Sequence, residues 1–181
     1  MSRQVTAIAA LLGVGLTVIF GTSGVRAGEP RVGEPAPAFS LPGSDGKTYT
    51  LADYKGKSAV VLAWFPKAFT GGCTAECKSF AQGGNLFKGL NVAYFTASVD
   101  VPDYNKKFAE SLNCDYPILS DADKSVAKAY GVVHGNRQFA ERWTFYIDKE
   151  GVIRAIDKKV VTGNAAADVA AKLKELGIAS K

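Results

Sequence analysis

The segment Pro66-Lys67-Ala68-Phe69-Thr70-Gly71-Gly72-Cys73-Thr74-Ala75-Glu76-Cys77 gathers the side chains best suited to chemistry, and Cys73 is the nucleophile among them. Residues 58–65 just before it form a near-continuous apolar run, the pattern of a buried central strand. Pro66 and the Gly71-Gly72 pair then punctuate a loop over residues 66–72, and a helix is predicted to start near Cys73 or Thr74. A cysteine delivered to a helix start meets unpaired amide N–H groups and the positive end of the helix dipole. Both stabilise a sulfur anion, which is the reactive form of the residue. Cys73, Cys77 and Phe80 follow a spacing that lines one helical face.

The chain holds three cysteines, Cys73, Cys77 and Cys114. So few in a domain of this size exclude a disulfide scaffold, and an odd count leaves at least one free thiol or an intermolecular bond. Reactivity is therefore the relevant property of Cys73. Cys114 sits between a helix and a short strand, where a packed thiol is expected. The net charge of +5, two of whose bases fall at Arg3 and Arg26, comes without a basic run or an aromatic-interleaved strip. Nucleic-acid binding is excluded on that ground.

The elements that position Cys73 can be read along the chain. Residues 39–41 and 48–51 flank the turn Gly43-Ser44-Asp45-Gly46 as two short strands. Gly83-Gly84 weakens or ends the helix carrying Cys73. Residues 91–98 read as a second buried strand, 103–112 as a helix, 116–119 as a short strand and 124–130 as a short helix closed by Gly131. Residues 143–147 and 152–156 alternate around Asp148-Lys149-Glu150-Gly151 as a hairpin. Residues 164–176 form the last helix, capped by Asn164 and stopped by Gly177. The order predicts an α/β sandwich with a mixed central sheet flanked by helices.

At Pro66, Thr70 and Cys73 the sequence resembles the peroxiredoxins, whose signature is Pro-x-x-x-Thr/Ser-x-x-Cys. Phe65-Pro66-Lys67 and Gly72-Cys73-Thr74 look most like the bacterioferritin-comigratory, or Q-type, branch. Val32-Gly33-Glu34-Pro35-Ala36-Pro37-Ala38-Phe39, Tyr116-Pro117-Ile118-Leu119-Ser120-Asp121 and Arg142-Trp143-Thr144-Phe145 fall in family order. The resemblance implies a thioredoxin-like fold with an N-terminal hairpin extension, a peroxide substrate, a thiol reductant, and no metal or cofactor. It also implies roles. Cys73 attacks the peroxide and becomes a sulfenic acid. Thr70 hydrogen-bonds peroxide and thiolate, and Pro66 shields the site from water. Arg142 supplies a fixed positive charge, and Glu76 orients that arginine.

Two departures stand out. Q-type relatives with a resolving cysteine usually carry it five residues after the first, where this chain has Lys78; its second cysteine comes at Cys77. The frequent Phe-Arg-Asp further on reads Phe80-Ala81-Gln82. Cys77 is the favoured resolving residue, with Cys114 and an external thiol as alternatives.

Two other readings compete. A Sco-like copper-binding protein also pairs two thiolates four apart with a distant histidine. Here, however, the only histidine is His134, in a loop, and Arg142 stands where such a protein wants its ligand. A thiol-disulfide oxidoreductase would carry Cys-x-x-Cys, which this chain lacks.

Residues 1–27 begin with Met1-Ser2-Arg3, run uncharged through 5–20 and reach Val25-Arg26-Ala27. A basic start, an apolar stretch and small residues at −3 and −1 describe a cleavable signal peptide, leaving residues 28–181 as one domain in the periplasm without stable membrane association. N-terminal sequencing of exported protein should therefore read Gly28-Glu29-Pro30; full-length protein found only in membranes would indicate an uncleaved anchor instead.

Overall fold

The computed structural model describes residues 29–180, so the signal peptide expected over 1–27 lies outside the described residues. A five-stranded mixed sheet in the order β5-β4-β3-β6-β7 forms the centre. β3 (Ala59–Trp64), β4 (Val92–Ser98) and β5 (Ile118–Ser120) run parallel, and β6 (Thr144–Ile147) and β7 (Ile153–Asp157) run antiparallel beside β3. A separate hairpin of β1 (Ser40–Pro42) and β2 (Thr48–Thr50) precedes the sheet. Among the described residues, four α-helices flank the sheet: α1 (Gly71–Gly83), α2 (Pro102–Ser111), α3 (Ser125–Ala129) and α4 (Ala165–Leu176).

Every residue of β3 is buried, which is why its sequence does not alternate. Ala59, Val61, Ala63 and Phe65 face a core shared with α1, α2 and α4, while Val60, Leu62 and Trp64 face a second core with Phe39, Leu41 and α3. Burial on both faces fixes the strand's register, and with it the exit point of the loop that carries Cys73.

Two local expectations are corrected. The helix begins at Gly71, two residues before Cys73, so Gly71 and Gly72 are its first residues and not the end of a loop. Asn164 occupies the N-cap of α4 but gives no side-chain capping bond; its amide donates to Asp168 Oδ1 at 2.6 Å. Gly177 ends α4 in the left-handed conformation, at φ 63°.

Gly83, the last residue of α1, is small for a packing reason. A Cβ there would stand 2.5 Å from the Cβ of Ala166, so α1 and α4 can approach only because the side chain is absent. Gly83→Ala should therefore cost about 1–3 kcal/mol in urea unfolding. Gly71→Ala, at a helical position with nothing within 4 Å, should instead stabilise by about 0.4–1 kcal/mol.

Candidate active site

β3 ends where Phe65 donates its N–H to Ala97 O at 2.9 Å and Pro66, lacking an N–H, cannot continue the ladder. The loop is then held from β4. Asp100 Oδ2 accepts the Ala68 N–H at 2.9 Å and also the Ser98 hydroxyl at 2.9 Å. Asn105, fully buried on α2, donates to Ser98 Oγ, Leu119 O and Ser120 Oγ, fixing the same corner. Phe69 turns the chain through a left-handed conformation, φ 61°, and Thr70 takes the N-cap of α1.

Cys73 thus arrives in the first turn of α1, only 1% exposed. Arg142 reaches it from the segment that leads into β6, two residues before that strand. Its Nη2 lies 3.2 Å from Cys73 Sγ, and its Nη1 pairs with Glu76 Oε2. The arginine's backbone is pinned on both sides: Trp143 O accepts the Trp64 N–H at 2.8 Å, and Glu141 donates its N–H to Val132 O at 2.8 Å. Gly72 makes room for the guanidinium, because a Cβ there would stand 3.3 Å from Nη2. The site is one fixed cation between a sulfur and a buried carboxylate.

The other expected residues sit at the mouth. Pro66 is half-buried, and Thr70 is exposed with its hydroxyl donating to Lys67 O at 2.9 Å, so its oxygen lone pairs remain open. His134 is exposed and pairs with Glu141, its Nε2 3.5 Å from Oε1.

The AhpC/TSA family model matches residues 32–156. The chain is 34% identical to peroxiredoxin Bcp of Bacillus subtilis over 151 residues, covering 80% of this chain and 96% of that protein. The chain belongs to the AhpC/TSA family. Among solved structures, the peroxidoxin BcpB of Mycobacterium tuberculosis superposes with a TM-score of 0.73 at 31% identity, covering 81% of this chain and 98% of that one. A mutant of PrxQ from Xylella fastidiosa gives 0.75 at 25% identity, covering 83% and 99%. These are the Bcp, or Q-type, peroxiredoxins, and the expected thioredoxin-like fold is the one they share.

In this peroxiredoxin the remaining thiols have environments of their own. Cys77 is fully buried, its Sγ 3.7 Å from Thr96 Oγ1, which lies 3.5 Å from the Tyr116 hydroxyl. Burial pushes the Cys77 thiol far up, and pushes Cys114, half-buried, up to about 11. Sequence reasoning missed Asp100, Asn105, Thr96 and Tyr116. Asn105 left a trace, since it shares the helical face of Phe108 and Ala109, where a polar residue is out of place.

Glu76 is also fully buried, and its Oε1 has no partner among the described residues. Burial raises its pKa from 4.5 to about 7, with the Arg142 charge pulling the other way. A carboxyl raised on folding contributes stability that is present below its unfolded pKa and lost as pH rises through the folded one. The thermal midpoint should therefore fall between about pH 4.5 and pH 7 relative to Glu76→Gln, in which the difference is flattened. A pH series of melting curves on the two proteins measures it.

Proposed function

We infer that this chain is a thiol-dependent peroxidase that reduces hydroperoxides through Cys73; the contact of Arg142 Nη2 with Cys73 Sγ, at 3.2 Å, carries that reading. The Cys73 thiolate attacks the terminal peroxide oxygen. The S–O bond forms as the O–O bond breaks, and the leaving alkoxide or hydroxide takes a proton to become alcohol or water, leaving a sulfenic acid. Negative charge moves from sulfur to oxygen during this step, and Arg142 is a guanidinium already in place beside it, so little reorganisation is needed. Glu76 positions that guanidinium from the side away from solvent. Thr70, its hydroxyl proton committed to Lys67 O, can accept the O–H of the incoming peroxide, and Pro66 restricts water at the mouth.

The rim favours organic hydroperoxides alongside hydrogen peroxide. Phe69 is 46% exposed and packs on Tyr104, and Phe139 is 43% exposed beneath Lys67 Nζ. These rings offer apolar surface to an alkyl tail. The reductant is an external thiol, either thioredoxin-like or small. The chain acts after export to the periplasm, the leader over residues 1–27 having been removed.

Cys77 is the resolving residue in this reading. Cα atoms four apart on a helix are roughly 6 Å apart, inside the disulfide range of about 4.4–6.8 Å. Their Cβ vectors run nearly parallel, so the first turn has to unwind. That turn is weakly secured: Thr70 provides no side-chain cap, two glycines open the helix, and no acidic residue stands in the first turn.

Cys73→Ser should abolish peroxide consumption while leaving the fold intact. Arg142→Ala should slow Cys73 oxidation by about 10²–10³-fold, the usual cost of deleting one preorganised group facing developing charge. Thr70→Val should slow it less. Stopped-flow peroxide reduction measures all three, and peroxide turnover by Cys73→Ser would contradict the mechanism.

A further inference from the structure

Neither Cys73 nor Cys77 can be reached by a reductant without rearrangement, because they are 1% and 0% exposed. Cys114 differs. It is half-buried and lines an open cavity of about 640 Å³ with Ser44, Lys47, Lys106 and Tyr116. The cavity shares no residue with the Arg142 site and lies by the N-terminal end of β5, whereas Cys73 sits beyond the C-terminal end of β3. On its inner side Cys114 packs against the core cluster that contains Cys77 and Tyr116. Tyr116 ties the two regions together. Its hydroxyl donates to Cys77 O at 3.1 Å and stands 3.5 Å from Thr96 Oγ1, the group touching Cys77 Sγ. Cys114 lies two residues before Tyr116, and its packing against the cluster that holds Cys77 and Tyr116 turns it to the same core. The three thiols form a path: Cys73 at the peroxide site, Cys77 one helical turn inward, Cys114 at the far cavity.

We propose that Cys77 and Cys114 form a second redox couple that takes the oxidising equivalent from Cys73 and offers it, as a Cys77–Cys114 disulfide, to an external dithiol at the Cys114 cavity. This rests on the reading of Cys73 as peroxidatic and Cys77 as its first resolving partner. Cys73 sulfenic acid and the Cys77 thiol condense to a Cys73–Cys77 disulfide and water. The strain of bridging residues four apart on one helix makes that bond a good target for exchange. Cys114 gives up its proton to solvent in the open cavity and attacks Cys77 Sγ; the new S–S bond forms and Cys73 leaves as a thiolate, which the Arg142 cation stabilises once the helix restores their contact. α1 can then rewind with Cys73 ready for a second peroxide. The external dithiol attacks Cys114 Sγ, the accessible sulfur, and releases Cys77 toward the Thr96 hydroxyl. A second attack within the mixed disulfide frees Cys114 and closes the reductant's own disulfide. Two electrons and two protons pass from the dithiol to the pair.

The test is peptide mapping of the reduced protein after one equivalent of hydrogen peroxide, with acid quench and alkylation. The expected map shows Cys77 linked to Cys114 and Cys73 alkylated as a free thiol. Cys114→Ser should arrest with Cys73 linked to Cys77, and its turnover with dithiothreitol should fall by about tenfold or more, since exchange depends on access to the attacked sulfur. Cys114→Ala gives the same arrest if the serine variant folds poorly. Cys73 oxidised in wild type but left in a disulfide of its own, or as a trappable sulfenic acid, overturns the relay while sparing the peroxidase. Cys73 left unreacted overturns the peroxidase itself, and the relay with it.

Discussion

The structure depends on one guanidinium held between a sulfur and a carboxylate. Arg142 gives Nη2 to Cys73 and Nη1 to Glu76; these two stand three residues apart on α1, and the arginine comes from a segment far away in sequence. A half-buried cation of this kind is stable only if its charge is answered and its position is fixed. Glu76 answers the charge and the two backbone bonds flanking Arg142 fix the position. The sheet order follows the same requirement: β6 lies antiparallel beside β3, so the start of β6 meets the end of β3, and the arginine before one faces the cysteine after the other.

The carboxylate is held at a cost. Glu76 is removed from water with one oxygen unpaired, and its pKa rises to about 7 because burial outweighs the arginine's attraction. Such a residue is weak evidence for stability and better evidence for positioning. The same tension shows in the first turn of α1, where Gly72 admits the guanidinium at the expense of helix propensity. A helix start that is soft for this reason is also one that can unwind when Cys73 has to meet a partner sulfur.

Much of this was legible in the residues. The apolar run before Pro66 marked β3 because both of its faces are buried, and the alternation around Gly151 marked the β6–β7 hairpin. Cys73, Arg142 and Glu76 stand out in the sequence, and in the structure they converge. The helix start was displaced by two residues because glycine pairs normally signal loops, whereas here Gly72 is small to admit a side chain from seventy positions away. The Asn164 cap is absent because its backbone, at φ −120° and ψ 11°, is not the extended one from which a side-chain oxygen can accept the next turn's N–H groups. The hold of Asp100 on the loop could not be found: the group it takes there is the Ala68 N–H, and a backbone group leaves no trace in sequence. Burial of Glu76 was equally hidden, since an acid in the opening turns of a helix reads as a surface complement to the dipole.

The central claim is that Glu76 acts on Cys73 only through Arg142. A double-mutant cycle on the single-turnover rate of Cys73 oxidation, with Glu76→Gln, Arg142→Ala and both together, tests it most directly. Glu76→Gln should slow the wild-type protein but add nothing once Arg142 has been removed. Two losses that simply add would contradict it, showing that the carboxylate reaches the sulfur by another route.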